Sequence, residues 1–108
     1  MLQTNEIQKR FSHLQQTISE ASRTLHSNQS VPQDLMDCMD ELDRECQSAQ
    51  GAMSSQDEDR IRQCVDDMEL LGDRAEQACQ QAGSLDGKVR QAVTSMHDEL
   101  SDFKRQIH

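Results

Sequence analysis

The sequence predicts an all-α protein: an antiparallel, up-down-up-down four-helix bundle. Three observations carry this. Apolar residues recur at alternating spacings of three and four in four separate segments, the period of a helix with one buried face. Aromatic, glycine and proline residues are scarce, with two Phe, no Trp or Tyr, four Gly and one Pro, whereas sheet proteins need aromatic strands and Gly/Pro turns. The ladders are parted by short polar breaks of two to four residues, and short connections force sequential helices to run antiparallel. Low apolar content (33%), a net charge of −9 and a mean hydropathy of −0.89 would also suit a disordered chain. Disorder gives no reason for one ladder to recur four times.

The first helix is expected over about residues 4–27, on the ladder Ile7, Phe11, Leu14, Ile18, Ala21, Leu25. The second, about 32–53, uses Leu35, Met39, Leu42, Cys46, Ala49 and Met53. Ser30-Val31-Pro32-Gln33 before it fits a capping box, with Pro in the first turn where its missing N–H is harmless. The third helix, about 56–82, is assigned the seam Ile61, Cys64, Met68, Leu71, Ala75, Ala78, Ala82, and Ser55-Gln56-Asp57-Glu58 fits a second box. Gly83 fits a left-handed residue closing that helix, and Ser84 or Asp86 can cap the fourth. The fourth helix, about 85–107, carries Val89, Val93, Met96, Leu100, Phe103 and Ile107. Gly51 and Gly72 fall inside helices and should each weaken them by about 1 kcal/mol relative to Ala. The heptad spacing implies left-handed packing in a single domain spanning residues 1–108. The same ladders also allow helices three and four to run on as one, with two chains completing a dimeric bundle. The thin Ala- and Cys-rich seam of helix three favours some burial between copies.

Charge is spread unevenly. Residues 33–76 carry fourteen Asp/Glu against four Arg, while the rest of the chain is near balance. Phosphate backbones are recognised by Lys and Arg, so nucleic acid is not the expected partner. A basic protein partner is. The N-terminal stretch is polar, and no run of eighteen apolar residues occurs. Neither a signal peptide nor a membrane span is therefore expected, and the cytoplasm is the expected location, with its thiols reduced. The HDEL string at 97–100 is internal and is not a retention signal.

Residues 34–46, DLMDCMDELDREC, concentrate carboxylates, thiols and thioethers. On a helix the acids Asp34, Asp37, Asp40 and Glu41 fall away from the seam while Cys46 points into it. One metal ion cannot be ligated from both faces of a single helix, so the stretch reads as a wet face beside a dry one. No Cys-x2-Cys, no Asp-x-Asp-x-Asp-Gly loop and no Glu-x-x-His pair occurs. No metal or cofactor is expected. Folding the second and third helices back on each other brings Cys46 and Cys64 near one another, which makes that pair the one place for a disulfide or a thiol site. His13 and His26 fall outward and His97 falls at the edge of the seam, where the acids after it oppose a phosphorelay role. No Ser-His-Asp or Cys-His arrangement and no Gly-rich phosphate loop is evident.

The functional expectation is a non-catalytic interaction, adaptor or chaperone-like module. Its candidate surface is Met36, Asp37, Asp40, Glu41, Asp66, Asp67 and Leu70, with Val65 expected to widen the apolar part. The alternative is a bundle that binds a soft metal or a cofactor, or senses redox state, through core Cys and Met.

Overall fold

The computed structural model describes residues 3–28, 30–83 and 85–108. Four helices account for nearly all of them: α1 (Thr4–His26), α2 (Gln33–Ser54), α3 (Glu58–Gln81) and α4 (Gly87–Ile107). With 21 to 24 residues each, they are about 32–36 Å long, close to the 42 Å long axis of a body 20 × 18 Å across. α1 packs on α2 and α4, and α3 packs on α2 and α4. The backbones of the diagonal pairs stay apart among the described residues. Short links and this cyclic pairing make the up-down-up-down bundle expected from the ladders, with α3 and α4 as separate helices.

The core lies where the ladders put it in three helices. All six expected residues of α1, all six of α2 and all six of α4 are buried. Cys38 and Ala52 join them on α2. Phe11 of α1 and Phe103 of α4, the two aromatic rings, meet with centroids 6.5 Å apart and a 42° tilt. No polar or charged residue is buried among the described residues. The acids of DLMDCMDELDREC lie exposed or half-buried around a dry Leu35, Met39, Leu42 and Cys46.

α3 departs from expectation. Its buried row is Ile61, Val65, Met68, Gly72, Ala75 and Cys79, not the seam through Cys64, Leu71 and Ala78. Those three are only half-buried, packed against the edge of the core. Both rows alternate three and four from Ile61, so periodicity cannot choose between them, and apolar size favours the row containing Leu71. The close approach of α4 decides the other way. A Cβ on Gly72 would lie 2.8 Å from Leu100 Cδ1, so the backbone there sits where a side chain would otherwise stand.

The helix ends also differ from the boxes expected. α2 starts one residue late, with Pro32 at its N-cap and no side-chain cap. A box on Ser30 would need Val31 in helical geometry, which the proline after it disfavours. Ser55 closes α2 instead of opening α3. Its hydroxyl donates to Ala52 O at 2.7 Å and accepts from Asp57 N at 3.2 Å. Gln56 takes φ 61°, the one non-glycine residue in the left-handed region among those described. It reverses the chain and so cannot be helical. Asp57 then caps α3, accepting from Arg60 N at 3.2 Å. Gly83 does not close α3, since no described glycine has positive φ. Ala82 leaves the helix extended, and Arg90 reaches over from α4 to donate to Cys79 O at 3.1 Å and Ala82 O at 2.6 Å. Asp86 caps α4, accepting from Lys88 N at 2.7 Å; Ser84 lies outside the described residues.

Candidate interaction surface

The charge asymmetry of the sequence becomes a two-sided bundle. α2 has six acids and one Arg, and α3 has seven acids and three Arg. α1 has two acids and three Lys/Arg, and α4 has three acids and four Lys/Arg. Because α2 packs on α3 and α1 on α4, one side of the molecule is strongly acidic and the other is nearly neutral.

The expected surface residues do not share one patch. Asp40 turns toward α1, with its Oδ1 3.3 Å from His26 Nε2, and the half-buried Met36 lies one turn before it. Asp66 turns the other way, toward α4, where Lys104 Nζ is 3.7 Å away and His108 Nε2 2.9 Å. Asp37, Glu41, Asp67 and Leu70 remain on the outer α2/α3 side. Asp37 and Asp67 accept from the side-chain amides of Gln33 and Gln63, one turn before each, at 2.9 and 3.0 Å. Glu41 faces Arg74 of α3 at 3.9 Å. Leu70 is 61% exposed and is the one large apolar side chain left in solvent among the described residues. Val65 is fully buried and does not widen that patch, for the same reason that the α3 seam shifts by one.

A groove of about 350 Å³ runs between these rows, walled by Asp34, Asp37 and Glu41 on α2 and by Arg74, Gln77 and Gln81 on α3, with Cys38 and Ala78 in its floor. The larger groove, about 580 Å³, lies between α1 and α4. There Lys9 and Arg10 stand against Asp98, Glu99 and Asp102, so its charges largely cancel within the molecule.

The histidines were legible only as positions; their partners were not. His13 contacts Glu99 across the α1/α4 interface. His97 lies between Asp73, 2.5 Å from Nε2, and Glu76, 2.8 Å from Nδ1, both on α3. With His26–Asp40 and His108–Asp66, all four histidines reach a carboxylate on a neighbouring helix. Lys104 hydrogen-bonds Glu69 at 3.2 Å, and that bond lifts its ammonium above the usual lysine range, with Asp66 adding to it.

The thiols are poor nucleophiles as placed. All four cysteines are free. Desolvation raises each of them: Cys46 is pushed up to about 12, and Cys38, Cys64 and Cys79 rise as well. At Cys38 and Cys79 burial outweighs the opposing pull of Arg74 and Arg90. Reactive and metal-binding cysteines need the thiolate, which electropositive, partly exposed settings favour. Glu45, which precedes Cys46, adds to the rise at Cys64, so its carboxylate lies within electrostatic reach of that thiol. Among the described residues, no three His, Cys, Asp or Glu side chains converge as a metal site requires. No helix among them is long and apolar enough to cross a membrane.

Comparison with protein-family models, with curated proteins and with solved structures found no match to the chain.

Proposed function

We propose that this chain is a non-catalytic interaction module of the adaptor or chaperone-like kind, which receives a basic protein partner on its α2/α3 side. The observation that carries this is the division of charge: the acids gather on two adjacent helices and leave Leu70 exposed among them. Charge complementarity steers association and suppresses wrong partners, and an exposed apolar side chain supplies the contact that water disfavours. Support comes also from the other groups that chemistry would use. The histidines are engaged with carboxylates between helices, and the thiols are held protonated by burial. The same burial counts against the soft-metal or redox alternative through Cys46 and Cys64. We place the module in the cytoplasm, a reading the four free thiols support.

The test is co-purification from cells that make the protein. The native chain is compared with a variant carrying Asp37→Lys, Glu41→Lys and Asp67→Lys, three exposed or half-buried acids of the outer face. A basic protein recovered in fixed ratio with the native chain, and lost with the variant, is the expected outcome. Recovery of both chains bare, or of the same proteins with both, refutes the proposal.

A further inference from the structure

We propose that the outer α2/α3 groove seats one amphipathic helix of the basic partner, with Leu70 as the apolar contact at its end. This rests on the interaction-module reading and adds the shape and chemistry of what binds. Residues Gln63, Asp67, Leu70, Arg74, Gln77 and Gln81 of α3 are spaced by alternating fours and threes, so they form one row along the helix. The row is a second ladder, parallel to the buried one, and it faces solvent. Opposite it on α2 stand Asp34, Asp37 and Glu41, and the 3.9 Å approach of Arg74 to Glu41 fixes the two rows as facing walls.

Two parallel ridges with a groove between them are what a third helix packs against. The floor suits close approach, since Cys38 and Ala78 are short side chains and Cys38 still keeps 8% of its surface exposed. From Leu70 to Gln81 the α3 wall is about 16 Å long, three turns of a helix. Backbone pairing by an added strand is ruled out here, because both walls are helices whose backbone groups are bonded internally.

Charge selects the occupant. The groove itself is walled by Asp34, Asp37 and Glu41 against Arg74, and α2 and α3 together hold thirteen acids against four Arg. A second copy presenting the same side would meet like charge, and its α1/α4 side is too near neutral to complement this one. A helix with Lys or Arg along its flanks and one apolar residue toward Leu70 satisfies both the walls and the patch. Its grip should weaken with salt, because the walls are solvent-exposed.

The experiment is an amide chemical-shift titration of the full chain with a synthetic Lys/Leu/Ala peptide of about 20 residues, amphipathic when helical. A scrambled peptide of identical composition is the control. We expect the amphipathic peptide to bind about tenfold tighter than the scramble, with shifts centred on Glu41, Leu70, Arg74 and Gln77. Leu70→Ser should remove most of that preference, since burying one Leu side chain is worth about tenfold or more in affinity. Glu41→Lys should weaken both peptides. Equal binding of the two peptides, with no effect of Leu70→Ser, overturns the groove and leaves only a polyanionic surface. Shifts centred on Leu14 and Phe103 overturn it too, while leaving the interaction-module reading intact, as does self-association of the chain that Leu70→Ser abolishes. Failure of either peptide to bind at low salt likewise overturns the groove, and the co-purification result then judges the broader reading by itself.

Discussion

Gly72→Ala and Gly51→Ala are the same chemical change in two helix interiors, and the fold makes them differ. Each should gain about 1 kcal/mol from helix propensity alone. At Gly51, which is exposed, the new Cβ would meet only Arg60 Nη2 at 3.7 Å, an ordinary contact. Gly51→Ala is therefore expected to stabilise by about 1 kcal/mol, a rise in Tm of about 4 °C for a chain of this size. At Gly72 the new Cβ would stand 2.8 Å from Leu100 Cδ1, short of normal carbon–carbon contact by about 0.7–1.2 Å. Leu100 is fully buried, so its methyl yields only by changing rotamer or by parting α3 from α4. Overpacking of this kind costs about 1–3 kcal/mol. Set against the propensity gain, Gly72→Ala should be destabilising by about 0–2 kcal/mol. The two variants are compared by urea denaturation followed by circular dichroism. A double-mutant cycle with Leu100→Val, which withdraws the clashing methyl, should show a favourable coupling of about 1 kcal/mol. Equal stabilisation by Gly51→Ala and Gly72→Ala, with no coupling to Leu100, would refute the claim that α4 approaches α3 through the glycine.

Four further outcomes follow from the helix ends and the thiols. Gln56→Gly should stabilise by about 0.5–1 kcal/mol, because φ 61° strains a residue with a Cβ; loss of stability in thermal melts would show that Gln56 does not reverse the chain this way. Arg90→Met keeps the side-chain stem but removes two charge-assisted bonds to the end of α3. It should cost about 1–2 kcal/mol, Arg90→Lys should recover less than half of it, and amide exchange should quicken near Cys79 and Ala82 before it does elsewhere. Native alkylation at mildly alkaline pH, read by peptide mass mapping, should modify half-buried Cys64 first and fully buried Cys46 last. The folded Cys46 thiol keeps its proton up to about 12, against an ordinary value of 9.0. The unfolded chain sheds that proton first, so stability is full below about pH 9 and falls as pH climbs toward 12. A flat stability profile across that window would contradict the burial of Cys46.

The sequence by itself determined the fold class, because a ladder of threes and fours has one economical use; on α1 and α4 it identified the buried residues one by one, and on α2 all but Cys38 and Ala52. It also marked the acidic middle and the exposure of Leu70, since both are properties of residue type and helical phase. The choice between the two ladders of α3 was not local. Val65 and Gly72 are buried, and Cys64 and Leu71 are left at the rim, because α4 presses on one side of that helix, and no property of the α3 residues encodes the distance of a neighbour. The helix ends were missed for a related reason. Ser55 and Gln56 look like the start of a helix, yet they are spent on reversing the chain, and the carbonyls at the end of α3 are satisfied by Arg90 from the next helix. The cross-helix partners of the histidines, and the separation of Asp40 and Asp66 from Glu41 and Leu70, depend on which helices are adjacent in space. Local periodicity fixes which face of a helix is dry. Only the packing of the four together decides which neighbour each wet residue meets.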